Sequence, residues 1–146
     1  MNFKDCIKKG IIKILSSDRL LAVSLIKQTL QDRSFFETLQ VSEISARKIA
    51  SNYYDMLRSL LEAMAALDGY KMYTHDAFTA YLAEKGEHEK SIIFDRLRNM
   101  RNNINYYGAA LSIEEAQEAI SDTEELMNFL FDKYLKQITK EIKEIK

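Results

Sequence analysis

The sequence predicts an all-α protein, an antiparallel up-and-down bundle of four to five helices. Three observations lead there: the 146 residues hold no proline and only four glycines, no run alternates apolar and polar residues with period two, and three long segments repeat apolar residues at alternating spacings of four and three. Length and a hydrophobic content of 47% suit a single domain with a substantial core, 1–146, and nothing divides the chain in two.

Taken in order, the pattern places a short helix at 3–14 and longer helices at 17–31, 43–68, 75–85, 89–107 and 113–140. The apolar residues between Ile11 and Ile26 are interrupted by Lys13, Asp18 and Arg19. They therefore form neither a membrane span nor the apolar core of a signal peptide, and a soluble, cytoplasmic chain is expected. In the helix at 43–68, Tyr53, Leu57, Leu60, Met64 and Leu67 make one apolar seam, and Tyr54 falls off it. Gly69, Gly86 and Gly108 each follow a helical stretch, where a left-handed residue ends a helix without a Cβ penalty. Ser112 followed by Glu115 is a capping box that starts the last helix just after Gly108. That helix carries a matching seam at Ala116, Ile120, Thr123, Met127, Leu130 and Tyr134. Beyond it, a charged helical extension from about residue 136 keeps a narrow apolar stripe of Ile138, Ile142 and Ile145.

The segment Phe94 to Gly108 packs three arginines and four asparagines into the helix at 89–107. Asparagine costs about half a kcal/mol relative to alanine inside a helix, because its amide competes for backbone partners, so this composition works against the local fold. Ile93, Leu97, Met100, Ile104 and Tyr107 form the apolar stripe. At about 100° per residue, Arg98, Asn102 and Asn105 gather nearly opposite, flanked by Arg101 and Tyr106. Such a ridge of forked donors, amides and a phenol suits an anion. It also suits a plain solvated face, or a face neutralised by the acidic stretch 114–132. That stretch has no lysine or arginine, and its Asp122 and Glu118 fall opposite Arg98 and Arg101 across the short turn.

Net charge is -1, so no general basic field attracts nucleic acid and any anion site must be local. The single cysteine, Cys6, cannot form an internal disulfide, which fits a reducing compartment. His75 opens a helix after Thr74, where a capping or packing role is expected, and His88 lies in a solvated loop. No histidine, cysteine and carboxylate spacing suggests a metal, and no glycine-rich phosphate loop or nucleophile elbow is present, so no cofactor is expected.

Three short motifs, Ser51-Asn52-Tyr53-Tyr54-Asp55-Met56 on a helix, Tyr73-Thr74-His75 opening the next and Arg101-Asn102 near the end of a third, resemble the HEPN (higher eukaryotes and prokaryotes nucleotide-binding) domain over residues 17 to 135. The resemblance implies a helical bundle that dimerises and brings the arginine motifs of two chains into a shared cleft. It also implies metal-independent ribonuclease activity in many members, whose motif is an arginine, a polar residue and a histidine after four to six intervening positions. Here Arg101 and Asn102 match, but the histidine slot falls on Tyr106, Tyr107 or Gly108. A phenol titrating near 10 is a poor base at neutral pH.

The expectation is a non-catalytic or weakly catalytic homodimer that binds a nucleotide or RNA phosphate through Arg101, Asn102, Asn105 and Tyr106, helped by Arg98. By resemblance, a small nucleotidyltransferase of a toxin-antitoxin pair would be its partner, and Tyr106 or Tyr107 the tyrosine to receive AMP. Two alternatives stand beside this: a ribonuclease with Arg101 as phosphate electrophile, and an interaction module in which Asn102 and Asn105 pair across a dimer seam.

Overall fold

The computed structural model describes residues 1–144 and is mostly helical, in agreement with the sequence pattern. Ile145, assigned to the C-terminal apolar stripe, lies outside the described residues. In chain order the elements are α1 (Phe3–Lys8), β1 (Ile12–Ile14), α2 (Arg19–Phe36), α3 (Ala46–Asp68), β2 (Tyr70–Met72), α4 (Asp76–Glu84), α5 (His88–Tyr107), α6 (Ile113–Lys133) and α7 (Lys136–Glu144).

Two elements correct the sequence reading. The helix expected at 3–14 ends at Lys8, because Gly10 turns the chain at φ +72°, and the residues beyond it become a strand. That strand pairs antiparallel with β2, Ile12 against Met72, Lys13 against Lys71 and Ile14 against Tyr70. Strands of three residues are too short to show a period-two pattern, and the pairing is fixed by tertiary position rather than local sequence. Similarly, the helix expected at 113–140 breaks at Tyr134, where Tyr134 and Leu135 N–H both donate to the Leu130 carbonyl. The turn lets Leu135, Ile138 and Ile142 bury, and α7 packs against α2 and α6.

The central element is α3, which packs against α2, α5, α6 and β2. Its expected seam is largely buried, but Tyr54, Leu61 and Ala65 on other faces are buried as well, so α3 is covered on several sides. Tyr54, which the seam left outside the core, has no exposed surface. Gly69 ends α3 in the left-handed region at φ +84°. The Ser112 capping box is present, with Glu115 N–H donating to Ser112 Oγ at 3.0 Å and Ser112 N–H donating to Glu115 Oε1 at 3.1 Å. Along α5, Phe94, Leu97 and Ile104 bury, while Tyr107 leaves the predicted stripe and is 81% exposed. The last turn of α5 runs beyond the elements that would cover it. Among the described residues no helix is long and apolar enough to cross a membrane.

Candidate functional site

The arginines of α5 do not meet the carboxylates that the sequence suggested. Arg96, two residues before the expected Arg98, pairs with Asp122 of α6 at 2.8 Å. Arg98 bends back along its own helix, its Nε and Nη2 donating to Asp95 Oδ1 at 3.1 and 2.9 Å. Arg101 turns toward α3, with Nη2 at 3.4 Å from Asp55 Oδ1 and its guanidinium carbon 5.9 Å from the centre of the Tyr54 ring. The neutralisation expected from Asp122 and Glu118 is thus replaced by Asp95 and Asp55. The geometry explains the change: α5 packs on α4 and α3 as well as touching α6, so its arginine side is oriented by all three.

Tyr54, Asp55 and Arg58 follow one another at spacings of one and three on α3, and so share a face that looks toward α5. Tyr54 is wedged against Phe94, with ring centres 5.6 Å apart and near-parallel planes. Its phenol meets His75 Nδ1 at 3.2 Å. His75 immediately precedes α4 and makes no side-chain cap, so of the capping and packing roles expected from sequence it takes the packing one, its ring centre 6.0 Å from that of Tyr54. Arg58 pairs with Glu62 at 3.1 Å one turn along α3, and Thr79 of α4 donates to Asp95 Oδ1 at 3.1 Å.

Three guanidiniums, from Arg58, Arg98 and Arg101, therefore act on one half-buried imidazole. Burial lowers the His75 pKa below its ordinary 6.5, and the positive charges of Arg58, Arg101 and Arg98 lower it further, against an opposing pull from Asp55. His75 is consequently neutral at pH 7. Burial raises the Tyr54 phenol well above 10, although the same arginines oppose that, so Tyr54 stays protonated.

Each of the three arginines has a carboxylate, but the pairing is uneven. Asp55 Oδ1 and Arg101 Nε are both buried without a hydrogen-bond partner, and the 3.4 Å ion pair between these residues lacks hydrogen-bond geometry. A guanidinium offers five N–H donors in a planar fork, so Arg101 keeps most of its donating capacity. Beside the cluster lies a cleft of about 650 Å³, lined by Asn2, Asp76, Thr79, Asp95 and Arg98 among others.

The sequence-predicted residues are divided between two places. Arg98 and Arg101 are about four-fifths buried and belong to the cluster. Asn102, half-buried, follows Arg101 on α5, while Asn105 and Tyr106 are exposed at the end of the helix, Tyr106 at 72%. The ridge inferred from helical angles is thus unevenly buried, its arginines drawn inward and its last residues left in solvent. Tyr54, Asp55, Arg58 and His75 are the residues that helical periodicity missed. Their signal lay in the short motifs themselves: Tyr54-Asp55, His75 and Arg101 come from segments distant in sequence and meet at one spot. Among the described residues no group of three histidine, cysteine or carboxylate side chains could hold a metal ion. Comparison with protein-family models, curated proteins and solved structures gives no match to this chain.

Proposed function

We propose that the chain is a HEPN-like up-and-down helical bundle that acts as a homodimer and binds the phosphate of a nucleotide or RNA at the Arg58, Arg98, Arg101 and His75 cluster. The observation that carries this reading is the four-fifths buried Arg101, over the Tyr54 ring that also holds His75, with a guanidinium nitrogen that no partner satisfies. Arg58, Arg98 and Arg101 already face Glu62, Asp95 and Asp55, but Arg101 has donors that Asp55 does not satisfy. A phosphate dianion or phosphodiester would accept from those donors. Asn102 is placed to add an amide beside Arg101. Tyr106 and Tyr107, both largely exposed, are accessible phenols of the kind that a partner nucleotidyltransferase would modify with AMP. Calorimetric titration with AMP and with a short RNA tests the binding. Wild type is expected to bind at least one of them, and Arg101→Ala to lose about tenfold or more in affinity, the worth of one charge-assisted hydrogen bond. Equal responses from the two proteins reject the site.

A second reading, metal-independent cleavage of RNA, is favoured by His75. In the tautomer whose Nδ1–H donates to the Tyr54 oxygen, His75 Nε2 keeps a lone pair that can take the proton of a ribose 2′-hydroxyl, while an arginine offsets charge on the phosphate. The imidazole that the arginine motif lacks in sequence would then come from the start of α4. Labelled RNA incubated in chelator is expected to be cleaved by wild type and not by His75→Gln. Cleavage that survives in both His75→Gln and Arg101→Ala points to a contaminant.

A further inference from the structure

On a different part of the molecule, residues of α2, α6 and α7 line an open cleft of about 530 Å³. This lies within the roughly 300–1,000 Å³ typical of small-ligand pockets. Lys136, Lys140 and Lys143 of α7 follow one another at spacings of four and three, which puts them on one face of the helix, and all three line the cleft with Arg33 of α2. Like charges at these spacings repel, and Glu144, four residues beyond Lys140, offsets only part of that, so an anion among the lysines would be favoured. Asp132 and Glu144 also line the cleft, leaving four cations against two carboxylates. Among the described residues none of the three lysines takes part in an ion pair.

Two buried polar atoms strengthen the case. Arg33 Nε has no hydrogen-bond partner, its contact with Glu37 being 3.4 Å and poorly directed. Thr139 Oγ1 has none either. The other buried helical threonines each donate to the carbonyl four residues back, Thr29 to Leu25 at 2.8 Å and Thr123 to Ala119 at 2.7 Å. Thr139 forgoes that local bond, and it lines the same cleft as Arg33. Leu30 and Phe131 supply apolar surface in the same cleft.

The geometry points to a second ligand site between α2, α6 and α7 for an amphipathic oxyanion, with a phosphate or carboxylate head among the lysines and a short apolar body against Leu30 and Phe131. It is independent of the arginine cluster. The occupant is a free small molecule, since only Leu30 and Phe131 offer apolar surface for its body.

Isothermal titration with octyl phosphate below its micellar range tests this. One site is expected. Octyl glucoside, with the same chain and no charge, and inorganic phosphate, with the charge and no chain, are each expected to bind about tenfold weaker or less. Lys140→Glu with Lys143→Glu should weaken octyl phosphate by about tenfold or more while leaving thermal unfolding cooperative. Thr139→Val should also weaken it and Thr139→Ser should not, a pair that keeps the charge and guards against a folding defect. Arg101→Ala should bind octyl phosphate as wild type does. The site is refuted if octyl glucoside binds equally well, if the double charge reversal changes nothing, or if Arg101→Ala abolishes binding. Association with phosphatidylglycerol vesicles without binding of monomeric octyl phosphate also refutes it, in favour of a membrane surface.

Discussion

Tyr54 Oη and His75 Nδ1 lie 3.2 Å apart, tying the middle of α3 to the residue that opens α4. The contact joins two segments that sequence pattern treated separately, and it fixes the imidazole next to three arginines.

Because the folded protein holds the His75 pKa below 6.5, the unfolded chain binds the proton more readily in the window between the depressed value and 6.5. Stability is therefore fully present above 6.5 and declines as pH falls through that window. Imidazole proton NMR, with His88→Gln to assign the signal, is expected to place the His75 midpoint below 6.5. Arg58→Ala and Arg101→Ala should each raise the midpoint, and Asp55→Asn should lower it. Added nucleotide should raise it as well, since a bound phosphate favours the imidazolium. A midpoint that none of these changes moves contradicts the placement of the charges.

Arg101→Ala is expected to change stability by no more than about 1 kcal/mol, because its pair with Asp55 lacks hydrogen-bond geometry and the Asp55 side chain, 39% exposed, can turn the oxygen freed by the substitution toward water. Tyr54→Phe, which removes the phenol from a fully buried position, should cost about 1 kcal/mol through the lost hydrogen bond. Urea denaturation separates stability from ligand affinity: both variants should lose about 1 kcal/mol or less, and only Arg101→Ala should lose ligand affinity. A stability loss for Arg101→Ala well above that of Tyr54→Phe would mean that Arg101 has a structural role.

Tyr81, almost fully buried, donates to Asp68 Oδ2 at 2.6 Å, and Lys85 reaches the same oxygen at 2.8 Å. Burial and the carboxylate keep the phenol protonated. Tyr81→Phe should cost about 1–2 kcal/mol, at the lower end for a bond to a charged group because Asp68 is partly exposed and retains Lys85. A denaturation midpoint equal to that of wild type would show that the bond contributes nothing net.

Two glycines separate backbone conformation from crowding. Gly108 adopts φ +63° in open space, so Gly108→Ala should cost only the left-handed penalty, about 1–2 kcal/mol. Gly69 adopts φ +84°, and a Cβ there would stand 2.6 Å from the Leu15 carbonyl oxygen, a backbone atom. Gly69→Ala should therefore exceed Gly108→Ala by at least about 1 kcal/mol. Thermal unfolding of the two variants gives the comparison, and equal losses would mean that the Leu15 segment yields without cost.

The long helices were legible because periodicity and glycine stops act locally: α3, α5 and the start of α6 fall close to where the apolar spacing and the Ser112 box put them. What sequence missed is decided by distant neighbours. The strand at Ile12–Ile14 takes its conformation from Tyr70–Met72, and the bend at Tyr134 follows from the space beside α2 that Leu135 and Ile138 fill. The same distinction applies to the site. Arg101 drew attention through composition, but a helical wheel built on one element cannot tell that α3 stands on its arginine side. Tyr54 lay off one seam because α3 is covered on more than one face.

The pairing of Ile12 with Met72 also makes the first strand depend on a segment about sixty residues away. The contact closes a loop that spans α2 and α3, whereas α4 and α5 pack as neighbours in sequence, so the strand pair carries a larger entropic cost of closure than the α4–α5 hairpin does. A chain cut before Tyr70 would leave Ile12–Ile14 with no ladder partner.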